Sequence, residues 1–213
     1  MATNIDAPFG LRPHNLLGSA PNSMGLTEYK VQTAATAGSS SAIYQGDMVI
    51  PLTNGLVDVS AADGGSVAIL GVMNGCNYID TDGKPRFSNF YPGTSLIKSG
   101  TEATVLVYDN PFQVYEIQAD ASLTNAATAQ ALVHSNAEGA GFGSQNGSTG
   151  KSTGELSVST AGATTATDNF RIIGIKDSFD DISVTTTSNG SASVTKTAEA
   201  ELTTFSVSLA KTF

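Results

Sequence analysis

The chain has 213 residues, and its 19 Asp and Glu against 10 Lys and Arg give a net charge of −9. This charge would repel a phosphate backbone, so nucleic acid is not expected as a partner. The length supports a hydrophobic core of its own. The sequence has no run of about 18 apolar residues that would predict a membrane-spanning helix.

The cysteine usage and the start of the chain indicate where the protein is made. Cys76 is the single cysteine, and the first residues lack the basic start and apolar run of a secretory signal. We therefore expect synthesis and assembly in a cytoplasm. Cys76 has no neighbouring His or basic residue that would activate a thiolate, so a buried structural cysteine is the favoured interpretation.

Residues 1–41 predict an extended N-terminal arm. Pro8, Pro13 and Pro21 each fix φ and remove a backbone donor, which interrupts regular structure. The four charges of this stretch cancel, so the whole charge of −9 lies in residues 42–213. A neutral arm needs a surface to lie on, and we expect these apolar anchors to contact a partner or a second copy: Pro8, Phe9, Leu11, Leu16 and Leu17.

Residues 42–180 predict a body of short antiparallel strands. Asn54-Gly55 stands between two β-like runs, which is a strong hairpin signal because a type I′ turn needs φ > 0 at both central residues. Repeated hairpins at roughly 8 to 12 residue spacing predict a small β-barrel or sandwich. The strands are expected at residues 48–53, 56–59, 67–73, 76–79, 86–91, 105–108, 112–118, 155–158 and 170–175.

Two segments interrupt the β pattern of the body. The Ala-rich stretch near residues 123–135 has Leu123, Ala127 and Ala131 at a spacing of four, which predicts one short helix. Residues 139–154 are rich in Gly, Ser and Thr, a composition that buries little apolar area. This second segment is therefore predicted to be a flexible loop, or one that a neighbour orders.

Residues 181–213 predict a C-terminal β-ribbon followed by a closing strand. The ribbon extends from Ile182 to Val194 and turns at Asn189-Gly190. The last run alternates apolar and small polar residues, which is typical of a half-buried strand. Its apolar face comprises Phe205, Val207, Leu209 and Phe213.

Two glycine patterns resemble nucleotide sites and fail on spacing. Gly150-Lys151-Ser152 looks like the end of a phosphate-binding loop, but that motif needs a glycine at position 145, where this chain has Gln145. Gly141-Phe142-Gly143 lacks the third glycine of a dinucleotide fingerprint, because position 146 is Asn146. No nucleotide cofactor is expected.

Metal and catalytic patterns are also weak. Neither His14 nor His134 has a Cys, His or carboxylate at ligand spacing, so surface or interface histidines are favoured over metal ligands. Asp80 and Asp82 lack the remaining acidic ligands of a calcium loop, and a tight turn is favoured. The acidic cluster at 177–181 is interpreted as a solvated turn, with an ion-binding site as the alternative. With no nucleophile elbow and no carboxylate pair singled out by spacing, the chain is not expected to be an enzyme.

The opening of the chain carries a family resemblance. Ile5-Asp6-Ala7-Pro8-Phe9-Gly10-Leu11-Arg12-Pro13 resembles the start of structural proteins encoded in the head-gene clusters of tailed bacteriophages. The resemblance spans roughly residues 5–176. It continues through more generic patterns at Gly46–Val49, Ala68–Val72, Phe112–Gln118 and Phe170–Ile175.

This resemblance implies a head decoration, or cement, protein with a β-tulip-like barrel on the outer capsid surface. It implies the major capsid protein as partner, commonly with assembly as a homotrimer. The N-terminal apolar anchors would then pack on the capsid or on a neighbouring copy. The alternative is a receptor-binding β module of a phage tail or fibre, although aromatics are only 7% of the chain and Trp is absent.

Overall fold

The computed structural model describes residues 7–18, 25–31, 41–60, 68–121, 123, 126–145, 148–158, 168–176, 183–186, 192–195 and 204–209. The fold is mainly β with one short α-helix, as the sequence predicts. The strands of the first half are β1 (Arg12–Leu16), β2 (Thr27–Lys30), β3 (Ile43–Tyr44), β4 (Met48–Pro51), β5 (Val57–Val59), β6 (Gly71–Ile79), β7 (Pro85–Ser88) and β8 (Phe90–Tyr91).

The second half contains the remaining strands and the helix. A short 3₁₀ turn at Thr94–Leu96 precedes them, and α1 spans Ala126–Ala131. The strands are β9 (Thr104–Tyr108), β10 (Gln113–Gln118), β11 (Asn136–Ala137), β12 (Gly139–Ala140), β13 (Glu155–Leu156), β14 (Phe170–Ile175), β15 (Ser183–Thr186), β16 (Ala192–Thr195) and β17 (Thr204–Leu209).

Two antiparallel sheets organise the molecule, consistent with a β-sandwich. One sheet has the order β1-β10-β17-β14-β11, and the other has the order β2-β9-β6-β4-β5 with β7 added on β6. Three two-stranded ladders, β3-β8, β12-β13 and β15-β16, accompany them. Every named strand pair is antiparallel, and the predicted hairpins β4-β5 and β6-β7 form. The hairpin predicted around residues 109–111 does not form, because β9 and β10 belong to different sheets. Gly55 has positive φ and Asn54 does not, so the turn between β4 and β5 is not the predicted type I′ turn.

A first hydrophobic core includes residues of both large sheets. Tyr115 and Phe205 of the β1-containing sheet belong to the same buried cluster as Met48 and Val72 of the β6-containing sheet. Tyr115 also donates its hydroxyl hydrogen to the Tyr108 carbonyl at 3.1 Å, which satisfies a polar group inside this core. Burial of aromatic and branched side chains from both sheets holds them against each other.

A second core lies on the opposite face of the β6-containing sheet. Val49 and Met73 follow Met48 and Val72 directly in sequence, and they belong to a separate buried cluster. Successive side chains of a strand point to opposite faces, so this sheet is buried on both sides. This two-sided burial explains the continuous apolar character of the central strands.

The C-terminal strand β17 is a central strand of its sheet. It lies between β10 and β14, and Val207 pairs with both Tyr115 and Ile172. Phe205, Val207 and Leu209 are buried, which confirms the predicted apolar face, while Phe213 lies outside the described residues. The ribbon β15-β16 has the predicted antiparallel pairing, and its turn at 189–190 lies outside the described residues.

The described parts of the predicted N-terminal arm are integrated into the sheets, which corrects the expectation of a separate arm. β1 pairs with β10, and β2 pairs with β9. Pro13 is tolerated because β1 forms one edge of its sheet and has an irregular register between Pro13 and Asn15. The prolines predict interruptions of regular structure, but an edge strand accommodates Pro13 because one side of its backbone has no partner strand.

Two local predictions change in extent. The helix is shorter than the predicted 123–135 region, and His134, with φ of 74°, lies just beyond it and donates its backbone N–H to the Ile172 carbonyl. The strands expected at 67–73 and 76–79 are replaced by the single strand β6, whose register shifts between Met73 and Gly75. A bulge allows the chain to continue through a position where the sequence indicated a break.

The glycine-rich segment 139–154 packs against the body, so the prediction of a flexible loop is wrong for its described residues. Phe142 is 6% exposed, and the centroid of its ring lies 6.2 Å from the centroid of the Phe170 ring. A Cβ added at Gly154 would lie 2.2 Å from a Phe142 ring carbon, so that glycine is required by the packing. Glycines here permit close packing around one aromatic side chain rather than chain flexibility.

Cys76 is fully buried, as expected, and should be chemically inert in the native protein. Its thiol donates to the Phe90 carbonyl at 3.0 Å, and burial raises the pKa of Cys76 to about 12. At about pH 8 only about 10⁻⁴ of the thiol is ionised. We expect a disulfide reagent to modify native protein at a rate limited by unfolding, and denatured protein immediately. Rapid stoichiometric labelling of the native form would contradict this assignment.

Candidate contact surface

Two glycines with positive φ allow the N-terminal segment 7–18 to pack closely against the body. Gly10 has φ of 70° and Gly46 has φ of 95°. A Cβ at Gly10 would lie 2.6 Å from Ser152 Cβ and 2.8 Å from the Gly46 carbonyl oxygen. The Leu11 N–H donates to that same carbonyl at 3.0 Å. The backbones therefore approach to a distance that a side chain at either position would prevent.

A buried carboxylate lies directly beneath this contact. Asp47 is fully buried, and its Oδ2 accepts the Tyr44 N–H at 2.8 Å. Its Oδ1 accepts the Ser152 hydroxyl at 2.5 Å and the Gly143 N–H at 3.0 Å. Ser152 in turn accepts the Gly154 N–H at 2.9 Å. One carboxylate thus organises the turn before β4 and the glycine-rich segment, on which Gly10 rests.

The expected anchor residues divide into core and surface positions. Leu11 is 2% exposed and belongs to the first core, so the expectation that it contacts a partner is wrong. Pro8, Phe9 and Leu16 are half-buried, and Leu17 is 41% exposed. Leu11 is buried because it follows Gly10 directly, and the close contact of Gly10 with Gly46 and Ser152 directs the next residue into the sandwich.

Leu17 lies beside an exposed aromatic residue that the contact prediction omitted. Its N–H donates to the Phe112 carbonyl at 2.8 Å, and Phe112 is 61% exposed. Phe112 N–H donates to Asn110 Oδ1 at 2.9 Å, which fixes the turn before β10. Leu16 pairs with Gln113 in the adjoining ladder. We define Leu16, Leu17 and Phe112 as the apolar patch, which lies at one end of the β1-β10 edge.

Charged groups stabilise the middle of the same edge. Glu116 of β10 is buried, and its Oε1 pairs with His14 Nδ1 at 2.9 Å and also with Lys176 Nζ. His14 is 46% exposed. The shared carboxylate on β10 links His14 of the neighbouring strand β1 to Lys176, which follows β14 on the far side of β17, and this favours a fixed orientation of the edge strand. The histidine is therefore a surface residue with a structural partner.

The remaining sequence candidates have local structural roles. Asp80 accepts the Lys84 N–H and the Arg86 guanidinium, each at 2.8 Å, as expected for a tight turn. Lys151 and Ser152 form bridges to other segments, and Ser152 is committed to Asp47. Within the described residues there is no group of three or more metal-ligating side chains and no helix long and apolar enough to cross a membrane. The acidic cluster 177–181 lies outside those residues.

Comparisons with known proteins add no family assignment. No family model, no curated protein and no solved structure matches the chain. The opening sequence pattern and the surface that this segment forms are the features of the chain that bear on its function.

The close packing of Gly10 against Gly46 and Ser152 gives a prediction about stability. Gly10→Ala should lower the free energy of unfolding by about 2–4 kcal/mol, because it combines a left-handed backbone with overpacking against Ser152 and Gly46. Gly55→Ala is the matched control. Gly55 has φ of 80° with nothing within 4 Å, so its loss should be only about 1 kcal/mol. Urea unfolding measures both, and equal losses would refute the close contact.

The Asp47 carboxylate gives a second prediction. Asp47→Asn replaces one acceptor oxygen with a donor, which should cost about 1–3 kcal/mol of unfolding free energy. Asp58→Asn is the control, because among the described residues Asp58 accepts one hydrogen bond, from the N–H of its neighbour Val59 to Oδ1 at 2.8 Å. An Asp47→Asn loss no larger than the control would contradict the role of Asp47 as an organising group.

Wild type and Asp47→Asn also test how stability depends on pH. Burial raises the pKa of Asp47, and its three hydrogen bonds oppose this only in part. The folded state therefore binds the proton more tightly than the unfolded state. The stabilisation that Asp47 contributes is fully present below its pKa in the unfolded chain. It decreases as pH rises through its pKa in the folded protein. The difference in unfolding free energy between wild type and Asp47→Asn should therefore fall as pH rises from below the ordinary aspartate pKa towards the raised pKa of the folded state. A rising difference would contradict the assignment.

Proposed function

We propose that this chain is a virion structural protein that decorates the outer surface of a tailed-phage capsid and stabilises the shell. Its partners are the major capsid protein and further copies of itself, arranged as a homotrimer. It is assembled in the host cytoplasm and performs no catalysis. The resemblance of residues 5–13 to phage head-cluster proteins suggests this role.

The observation that carries the proposal is the apolar patch on a rigid support. Leu17 and Phe112 are large, exposed and joined through a backbone hydrogen bond. Their positions are set by paired strands, so little conformational entropy is lost when they are covered. Exposed apolar side chains clustered on an otherwise polar edge are typical of protein contact sites.

The N-terminal segment has a different role from that of a free arm. Leu11 anchors the segment inside the body, whereas Leu16 and Leu17 remain accessible at the far end of β1. Pro8 and Phe9 are half-buried and contribute contact area at the near end. The segment thus serves as a support for the contact surface as well as part of it.

Binding to a lattice suits a surface of this modest size. A decoration protein that engages several capsid subunits, or several copies of itself, converts later contacts into intramolecular ones with a high effective concentration. Individually weak contacts then give stable occupancy. The negative charge of the chain also disfavours competition by nucleic acid.

Point substitutions in the patch provide the test. Removing residues 2–20 would also remove β1 and Leu11, so truncation would confuse loss of contact with loss of fold. Leu17→Ser and Phe112→Ser should each weaken binding to purified undecorated heads about fivefold or more, because loss of an apolar anchor at the centre of a contact costs about 1 kcal/mol or more. Occupancy is measured by co-sedimentation over a range of protein concentrations.

Phe87→Ser is the matched control, because Phe87 is 73% exposed on β7, outside the patch. It should bind heads like the wild type. Wild-type protein that fails to bind heads and is located in tails would favour the receptor-binding alternative. Wild-type binding that is equally sensitive to all three substitutions would retain the decoration role and reject this patch as the contact site.

A further inference from the structure

A small groove lies between the N-terminal segment and the β6-containing sheet. Its volume is about 170 Å³, enough for one side chain rather than a large ligand. We call it the basic groove, because Arg12 and Lys151 are the charged residues among its described lining. Phe9, Gln45 and Asn74 also line it.

The two cations of the groove have no carboxylate partner among the described residues. Lys30, Arg86 and Lys176 pair with acidic side chains, whereas Lys84, Lys98 and Arg171 resemble the groove cations in having no ion pair among the described residues. Arg12 instead stacks over the Phe9 ring, with its guanidinium carbon 4.2 Å from the ring centroid. This stacking limits the orientations of the guanidinium and leaves its N–H groups for an acceptor.

Neutral polar groups complete the donor set of the groove. Gln45 Nε2 donates to Asn74 Oδ1 at 3.1 Å, which engages the carbonyl oxygen of the Asn74 amide. The amide hydrogens of Asn74 then remain as donors. Cationic and amide donors that line one small cavity match a carboxylate, which accepts several hydrogen bonds through two oxygens.

We propose that the basic groove binds the carboxylate of an Asp or Glu side chain on the capsid surface. This inference rests on the proposed decoration function. The chain carries a charge of −9, so most of its surface would repel a carboxylate, and the two cations of the groove supply local charge complementarity for one. The size of the groove fits a single acidic side chain.

The groove and the apolar patch define a two-point contact. Arg12 begins β1 and Leu17 follows its last residue, so they are five residues apart along an extended strand. At about 3.3 Å per residue this separates them by roughly 16 Å. A partner that presents a carboxylate at that distance from an apolar site would engage both ends of β1, which sets register as well as affinity.

The experiment measures head binding as a function of salt. Lys151→Gln is the principal variant, and Arg12→Gln and the double variant extend it. Lys98→Gln is the control, since Lys98 is exposed, lies outside the groove and makes the same change of charge. Each protein is first compared with wild type by its unfolding midpoint, because Arg12 also packs on Phe9.

Each groove variant should weaken head binding about fivefold at low salt and reduce the salt dependence of the affinity. Lys98→Gln should match the wild type in both. Arg12→Lys should retain part of the affinity, because it keeps the charge and loses the planar fork.

The outcomes separate the groove from the proposed function. If the wild type binds heads and the double variant binds them with the same affinity and salt dependence, the groove is rejected as the carboxylate site. The decoration role then stands. Failure of the wild type to bind heads would overturn the decoration role and, with it, a capsid carboxylate as the ligand. Equal weakening by Lys98→Gln would indicate long-range charge rather than a site, and would also overturn the groove.

Discussion

The buried Asp47 carboxylate is the constraint on which the contact surface depends. It accepts hydrogen bonds from the backbone of Tyr44 and Gly143 and from the hydroxyl of Ser152, residues that belong to segments far apart in the chain. A charge taken out of water is costly unless its oxygens are satisfied, so these donors must be held in place together. The glycine-rich segment is ordered in this way, and Ser152 then forms part of the surface under Gly10.

The mainly β architecture supports this arrangement through burial on two faces of one sheet. Adjacent residues such as Val72 and Met73 belong to different cores, so a shift of one residue in register would exchange the two sets of side chains. The N-terminal strand β1 occupies the edge of the facing sheet, and its proline and irregular register limit further strand pairing there. That edge therefore presents side chains rather than a free backbone ladder.

The opening sequence pattern acquires a physical explanation in this fold. Gly10 is required by a close backbone approach, Leu11 by the core, and Arg12 lies over Phe9 at the mouth of the basic groove. Pro13 marks the edge strand. Each residue of this short stretch thus has a separate structural reason, and their combination places charged and apolar contacts at opposite ends of one strand.

Local patterns are enough to predict the mainly β class, most of the strands, the short helix, the apolar face of β17 and the burial of Cys76. These features follow from local periodicity, turn chemistry and composition, which act over a few residues. Three features depend instead on long-range packing: Leu11 belongs to the core, residues 139–154 pack around Phe142, and Phe112 lies beside Leu17. Asp47 and Ser152 are 105 residues apart, and no local pattern encodes a hydrogen bond over that separation. Such contacts arise because a buried polar group must find its partners in space, wherever those partners lie in the sequence.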